Sequence, residues 1–376
     1  MLCITEIVSW GVLYYAFSVL SPGITRDTGW SSTWVTAAFS VGQVTAAGVG
    51  IPVGRWLDTW GPRRVMTAGS ALAVPAVLGI AAAPSIPWFF AAWVLAGVAM
   101  AAVLYQPAFA ALTRWWGRRR VIALTVVTLA GGLASTVFAP LTATLAQHFD
   151  WRHTYVVLAC VLAAVTLPAH LFGLAGHWPA GEAAHHERPA APGSVVRSRA
   201  FVLLAVAMSL AAFAAYAVVV NLVPLLTSRG LSTSTAALAL GLGGIGQVSG
   251  RMGYGRLAAL TSTRARTVLV FGASAVAIAL LAVVPGPTVL VIAIAMVAGA
   301  TRGIYTLVQA TAVSDRWGAA HFGRLNGVLT APVTLAMSLA PWAGTVLAVW
   351  LGGYPHMFLL LAGIGLVAAV IAATTV

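Results

Sequence analysis

The chain has 376 residues, of which 60% are hydrophobic and 7% charged, and its mean hydropathy is +0.96, so it carries far more apolar surface than one water-soluble core can bury. An ordinary soluble globule is excluded. The net charge of +13 comes from arginine without a single lysine, and these arginines stand in short clusters between apolar runs with no recognisable nucleic-acid module, which sets nucleic acid aside as a partner.

At about 20 residues per span, apolar runs broken by Gly, Pro, Arg or Asp predict twelve transmembrane helices, at 2–25, 33–57, 64–83, 86–113, 119–147, 152–174, 200–228, 233–256, 266–285, 288–313, 322–350 and 354–374. The first run has no basic segment ahead of it and reads as a first transmembrane helix, not as a cleaved signal, leaving room for a preceding cytoplasmic tail. It holds Glu6, Trp10, Tyr14 and Tyr15. Glu6 is the carboxylate that falls inside a predicted span. It is a candidate proton carrier, a fixed partner for an arginine elsewhere in the bundle, or a residue at the extreme helix end with little role.

Helices 2 and 3 are joined by Gly54-Arg-Trp-Leu-Asp58-Thr-Trp-Gly61-Pro-Arg63-Arg64. Gly54 permits close helix contact and Gly61 a tight turn. Asp58 can pair with Arg63 or Arg64, or sit at a neighbouring helix N-terminus, where the dipole favours negative charge. Helix 4 offers Tyr105 and Gln106, and helix 7 offers Tyr216 and Asn221, either to a cavity or to interhelical hydrogen bonds. After helix 4 comes Trp115-Trp116-Gly-Arg118-Arg119-Arg120-Val-Ile-Ala123, a mixture expected at any cytoplasmic boundary.

The long polar connection is 175–199, which divides the chain into six helices (1–174) and six helices (200–376). Its His177, Glu182, His185, His186 and Glu187 are interspersed with Pro, Ala and Gly as in a flexible connector, and no metal site is read there. Cys3 and Cys160 fall in apolar runs and support neither a disulfide framework nor a metal knuckle. The sequence offers no cofactor motif and no catalytic constellation, so an enzyme is not expected.

Helix 8 contains Gln247-Val-Ser-Gly-Arg251-Met-Gly-Tyr-Gly255, and helix 10 contains Thr301-Arg302-Gly-Ile-Tyr305-Thr-Leu-Val-Gln309. An arginine inside a span is costly unless it is paired or faces a wet cavity. Arg251 can also snorkel to the nearby helix end. Arg302, Tyr305 and Gln309 follow at i, i+3 and i+7, so they share a face too polar for lipid, unless Arg302 is a structural arginine bonded to carbonyls between helices. Gly241, Gly243, Gly244, Gly246 and Gly250 of helix 8 are read as close-packing positions.

Several features recur 201 positions apart with no gap: Gly54-Arg55 with Gly255-Arg256, Trp116-Gly117 with Trp317-Gly318, Ala139-Pro140 with Ala340-Pro341, and Tyr15 with Tyr216. Such recurrence predicts an internally duplicated membrane protein. The even connections and the linker hold fifteen arginines, whereas the odd ones hold Arg26, Arg152 and Arg229. The positive-inside rule therefore puts both termini and the linker in the cytoplasm.

The Gly54-to-Arg64 spacing resembles the signature loop of the major facilitator superfamily, and the duplicated six-plus-six layout resembles that family over the whole chain. The resemblance implies an all-α fold of twelve transmembrane helices in two pseudo-symmetric bundles, and assigns Gly54, Asp58, Gly61, Arg63 and Arg64 to a gating loop. In the second copy Ala259 stands where the aspartate should be. The Gln247-to-Gly255 run resembles helix 8 of the monocarboxylate carrier and oxalate/formate exchanger branch, in which an acidic residue, an arginine and a glycine follow at four-residue steps and the arginine holds the substrate carboxylate. Here the acidic position is Gln247. The Trp115-to-Ala123 run resembles a second signature of the monocarboxylate carriers. Helix 5, with Gly131-Gly132, lacks the full Gly-Pro run of the drug/proton antiporters.

The expectation is a secondary carrier in a bacterial inner membrane, the source suggested by the abundance of Ala, Arg, Gly and Val. Helices 1, 4, 7 and 10 with part of helix 8 would enclose a midplane site. Two arginines in the spans against one carboxylate call for a small organic anion as counter-ion. Arg251 and Arg302 would take its carboxylates, with Tyr14, Tyr15, Tyr305, Gln309, Gln106, Asn221 and Gln247 around them. Glu6 would be the proton-coupling candidate, and the carrier a monomer using protons or exchange, without metal or cofactor. The rival expectation is a proton-driven exporter of drugs or other apolar compounds.

Overall fold

The computed structural model describes residues 1–176, 178 and 192–375, and among these the secondary structure is helical throughout. His177, Glu182, His185, His186 and Glu187 of the linker, apart from their sequence, lie outside the described residues. Among the described residues, nine helical runs are long and apolar enough to cross a bilayer, but two of them, Thr33–Ala81 and Ile86–His148, have 49 and 63 residues. At 1.5 Å per residue these are too long for one crossing of a hydrocarbon core about 30 Å thick. Each divides at a glycine with positive φ, Gly61 (φ 76) and Gly117 (φ 45). Thr233–Leu260, glycine-rich and less apolar, adds a further 28-residue helix.

The helices are α1 (Leu2–Thr28), α2 (32–60), α3 (62–81), α4 (86–116), α5 (120–148), α6 (Trp151–Gly173), α7 (Arg199–Ser228), α8 (Thr233–Leu260), α9 (Thr263–Val283), α10 (Thr288–Thr311), α11 (Phe322–Trp350) and α12 (Tyr354–Ala373). The expected 58–63 connection is thus a single-residue break, because glycine alone reverses the chain there without a Cβ clash. Inside α1, Gly11–Tyr15 forms a π-helical turn. Leu104 and Leu133 interrupt α4 and α5.

Helix starts carry short polar caps. Ser31, Ser198, Ser232 and Ser262 each accept a hydrogen bond from the amide three residues on, as does Asp150, satisfying one of the four amides a helix start leaves open. The 201-residue repeat reappears in these details, since Ser31 and Ser232 are both caps and Gly29 and Gly230 both have positive φ. Two of the three arginines of the odd connections cap helix ends. Arg152 donates to the carbonyls of Ala81 and Ala83 at 2.7 and 2.9 Å, and Arg229 to those of Leu281, Ala282 and Val284. Positive charge at a helix C-terminus is favourable.

The contacts form two compact units, one of residues 1–189 with 319–331 and one of 190–318 with 332–376. In the first, Phe17 and Phe39 stack at 4.4 Å, and the core continues through Phe89, Trp93 and Tyr155. The core of the second is mostly aliphatic, with Leu222, Leu225, Ile278, Leu281 and Leu361, beside Met357 and the fully buried Phe358. Large apolar side chains remain exposed on both, such as Trp34, Ile122, Leu260 and Trp342, the surface a bilayer would cover.

Candidate functional site

The second unit contains a seam between α8 and α10 in which backbone touches backbone. A Cβ added at Gly246 or Gly250 would strike the carbonyls of Met296 or Ala300, and one added at Gly299 or Gly303 would strike those of Gly243 or Gln247. Small residues let helices approach this closely. Gly241 and Gly244 meet nothing within 4 Å; they are not packing positions, because they lie off the contact face.

The seam sets Gln247 beside Arg302. The guanidinium Nη2 donates to Gln247 Oε1 at 2.7 Å, and both residues are half-buried. Arg251, one turn along α8, is 5% exposed, so it does not snorkel into water. Arg302 also borders a cavity of about 30 Å³ lined by Val218, Leu222, Gly243, Ser274 and Leu281, a space for one or two waters. The remaining helix 10 candidates separate. Tyr305 is buried and its hydroxyl donates to the carbonyl of Met208 at 2.9 Å, so it holds α10 to α7 instead of lining an open cavity. Gln309 stays half-buried. Asn221 is buried, donates to Ala217 within its own helix and accepts from Thr345, the interhelical alternative.

In the first unit Glu6 is fully buried, and its Oε2 accepts from Trp10 Nε1 at 3.0 Å. Trp10 starts an aromatic group: its ring centroid lies 5.3 Å from that of Tyr14, 6.4 Å from Tyr15 and 5.0 Å from Tyr105. Tyr14 and Tyr15 belong to the π-helical turn, a feature frequent at functional positions. Gln106 lies elsewhere, with Nε2 3.5 Å from the carbonyl of Asn326 and its amide against Gly50.

The α2–α3 corner forms another polar cluster. Asp58 accepts at Oδ1 from Arg114 Nη2 (3.1 Å) and the amide of Gly323 (3.0 Å), and at Oδ2 from the amide of Arg324 (2.7 Å). It therefore sits at the N-terminus of α11, and Arg114 takes the place expected for Arg63 or Arg64. Arg114 continues to the carbonyl of Ala320 at 2.6 Å and stacks on Trp178, 4.6 Å from the ring centroid. Arg63 reaches the carbonyl of Leu171, and Arg64 is exposed. Gly54 packs on the backbone of Gly323. Arg63 and Arg64 lie past the break at Gly61, on the start of α3, whereas Arg114 ends α4.

A matching cluster stands in the second unit. Arg266 Nη2 meets Asp315 Oδ2 at 2.5 Å, Arg266 lies over the ring of Tyr254, Tyr254 shares a hydrogen bond with Thr311, and Arg316 donates to Thr267. Motif reading missed Arg114, Arg266 and Asp315. The repeat held a signal for them, because Arg114 and Asp315 are 201 positions apart and put opposite charges at the same helix end.

Comparison with known proteins agrees with this architecture. The family model described as Major Facilitator Superfamily matches residues 2–294. Monocarboxylate transporter 11 of Homo sapiens is 29% identical over 269 residues, 66% of this chain and 56% of that protein. The chain thus spans little more than half the length of that relative. Monocarboxylate transporter 13 of Bos taurus is 30% identical over 329 residues, 82% of this chain and 75% of its own. The oxalate:formate antiporter of Oxalobacter formigenes is 22% identical over 341 residues, 89% of this chain and 80% of its own. Among solved structures, that of the E. coli fucose:proton symporter FucP covers 100% of this chain and 98% of its own with a TM-score of 0.77 at 12% identity, a likeness of fold.

Proposed function

Because the chain belongs to the Major Facilitator Superfamily, a family of transporters and not of enzymes, we propose that it is a secondary carrier of a small organic anion, a mono- or dicarboxylate. It works by alternating access in a bacterial inner membrane, through exchange or proton coupling, with both termini cytoplasmic. The observation that carries this reading is the Arg302–Gln247 contact at the α8–α10 seam, in a unit whose residues 190–318 and 332–376 include nine arginines and one carboxylate, Asp315. An anionic cargo supplies the charge such a unit lacks. Arg302 and Arg251 are its receptors, and Gln247 and Gln309 its neighbours. Glu6 is the candidate for any coupled proton. Asp58 with Arg114, together with Gly54, Gly61, Arg63 and Arg64, forms the gate at the cytoplasmic end.

Liposomes containing the purified protein test this directly. Arg302→Gln is expected to reduce uptake or exchange of carboxylates such as L-lactate and oxalate at least tenfold, the loss of one charge-assisted carboxylate contact of about 1.5–3 kcal/mol, and Arg251→Gln is expected to reduce it as well. Wild-type rates in both variants would overturn the anion reading. The aromatic group of Trp10, Tyr14, Tyr15 and Tyr105 favours a second reading, export of apolar compounds. Protection of an efflux-deficient host against apolar drugs, undiminished by Arg302→Gln, would support that one instead.

A further inference from the structure

The Arg302–Gln247 contact has an unusual chemistry for a span. The acceptor is a neutral amide oxygen at 2.7 Å, and the close approach of Gly303 to the Gln247 carbonyl fixes the spacing of the two helices at that level. The bond to the amide is already assisted by the guanidinium charge, and a carboxylate oxygen at the same place adds an opposite charge that the neutral amide lacks, so Coulomb attraction favours the carboxylate over the amide. The neighbouring cavity of about 30 Å³ has room for water, and the Gln247 amide oxygen sits at hydrogen-bond distance from the guanidinium Nη2, the place an incoming carboxylate oxygen would take.

Resting on the reading of Arg302 as an anion receptor, we infer that Gln247 is the specificity-determining residue of this site: a neutral, non-titrating occupant of the position the substrate carboxylate takes, so that capture exchanges one oxygen acceptor for another without taking up a proton. The surroundings of the seam agree. Helices α7, α8, α9 and α10 contain no Asp, Glu, His or Lys. The charged and titratable side chains on them are Arg199 and Tyr216 on α7, Arg251, Tyr254 and Arg256 on α8, Arg264 and Arg266 on α9, and Arg302 and Tyr305 on α10. Asp315, beyond the end of α10, is ion-paired with Arg266. Arginine and tyrosine have ordinary pKa values of about 10 and above, so these helices hold no group that normally titrates between pH 5 and 8. A carboxylate at position 247 would instead be a permanent competitor for the guanidinium, released by its own protonation.

Equilibrium binding of radiolabelled L-lactate and oxalate to the purified full chain, between pH 5.5 and 8, tests this. At pH 8, Gln247→Glu is expected to weaken binding at least tenfold, while Gln247→Met, of similar size but with no oxygen, binds within threefold of wild type or tighter. The ratio of the Gln247→Glu Kd to the wild-type Kd should fall as the pH falls. That ratio cancels any proton effect arising at Glu6 or on the ligand, and a purely structural role for Gln247 would not produce its slope. Gln247→Asp serves as the carboxylate variant if the glutamate variant does not fold. Binding by the carboxylate variant within twofold of wild type, or equal damage by methionine, overturns the inference while leaving the anion reading intact. Wild-type protein that binds neither ligand, or Arg302→Gln protein that binds them normally, overturns both.

Discussion

The polar clusters at Asp58 and at Asp315 occupy corresponding ends of the two halves yet satisfy their charges in opposite ways. In the first unit the carboxylate is at the α2–α3 corner and the guanidinium at the end of α4, and the aspartate divides its oxygens between Arg114 and two backbone amides at the start of α11. In the second unit the carboxylate follows α10 and the guanidinium lies on α9, and the Arg266–Asp315 pair is supported by side chains, Tyr254 with Thr311 and Arg316 with Thr267. The same helix end has been filled with opposite charges, Arg114 and Asp315. One pair organises the backbone of a helix start that belongs to the first unit as far as Ala331, while the same helix continues in the second. The other holds side chains of neighbouring helices to each other.

That difference predicts a strong effect on stability. Asp58→Ala leaves a guanidinium with 6% of its side chain exposed and the amides of Gly323 and Arg324 without their acceptor, and removing one partner of a buried pair costs about 3–5 kcal/mol. Thermal unfolding in detergent should show a larger drop in Tm for Asp58→Ala than for Asp315→Ala, since each guanidinium keeps its aromatic ring but only the loss of Asp58 also strips two backbone amides of their acceptor. Equal drops would erase the distinction between the clusters.

Double replacements sharpen it further. Apolar residues of similar volume in place of a buried ion pair are often neutral or stabilising. Arg266→Met with Asp315→Leu should therefore recover much of what Asp315→Ala loses. Asp58→Leu with Arg114→Met should not, because the amides of Gly323 and Arg324 and the carbonyl of Ala320 remain without partners, each at about 1–3 kcal/mol. Recovery of Tm in both doubles would show that Asp58 acts as a side-chain partner alone.

What could be read from the amino acids divides along the same physical line. In a bilayer a helix satisfies its own backbone polar groups, so twelve apolar runs and a 201-residue recurrence were legible as spans and duplication, and a helix N-terminus was one of the places left open for Asp58. Side-chain partners were not legible. Asp58 and Arg114 are 56 positions apart, and Arg302 and Gln247 are 55 apart, so nothing but the tertiary packing of α2 on α4 and of α8 on α10 pairs them. Periodicity put Arg302, Tyr305 and Gln309 on one face, but it could not tell that the Tyr305 hydroxyl is engaged by the Met208 carbonyl, because a helical face touching another helix reads the same as one touching water.

A weaker effect is predicted at a helix start that the duplication did not preserve. Asp150 caps α6 by accepting from the His153 amide at 2.8 Å, whereas its counterpart 201 positions on is Leu351, and α12 begins without a side-chain cap. The hydrogen bond donated by the His153 backbone amide is the main reason the Asp150 carboxyl is held below the ordinary aspartate value. A depressed carboxyl contributes stability that is fully present above its unfolded value, about pH 3.9, and that is lost as the pH falls through the folded one. Asp150→Ala should thus lower stability near neutrality by about 1 kcal/mol or less, since the group is exposed, and the Tm difference from wild type should vanish in strong acid. Asp150→Ser keeps a capping oxygen but no titrating group, and its difference from Asp150→Ala should persist at every pH at which the protein stays folded. A difference that disappeared in acid for the serine variant too would mean that the α6 start is held by something other than its cap.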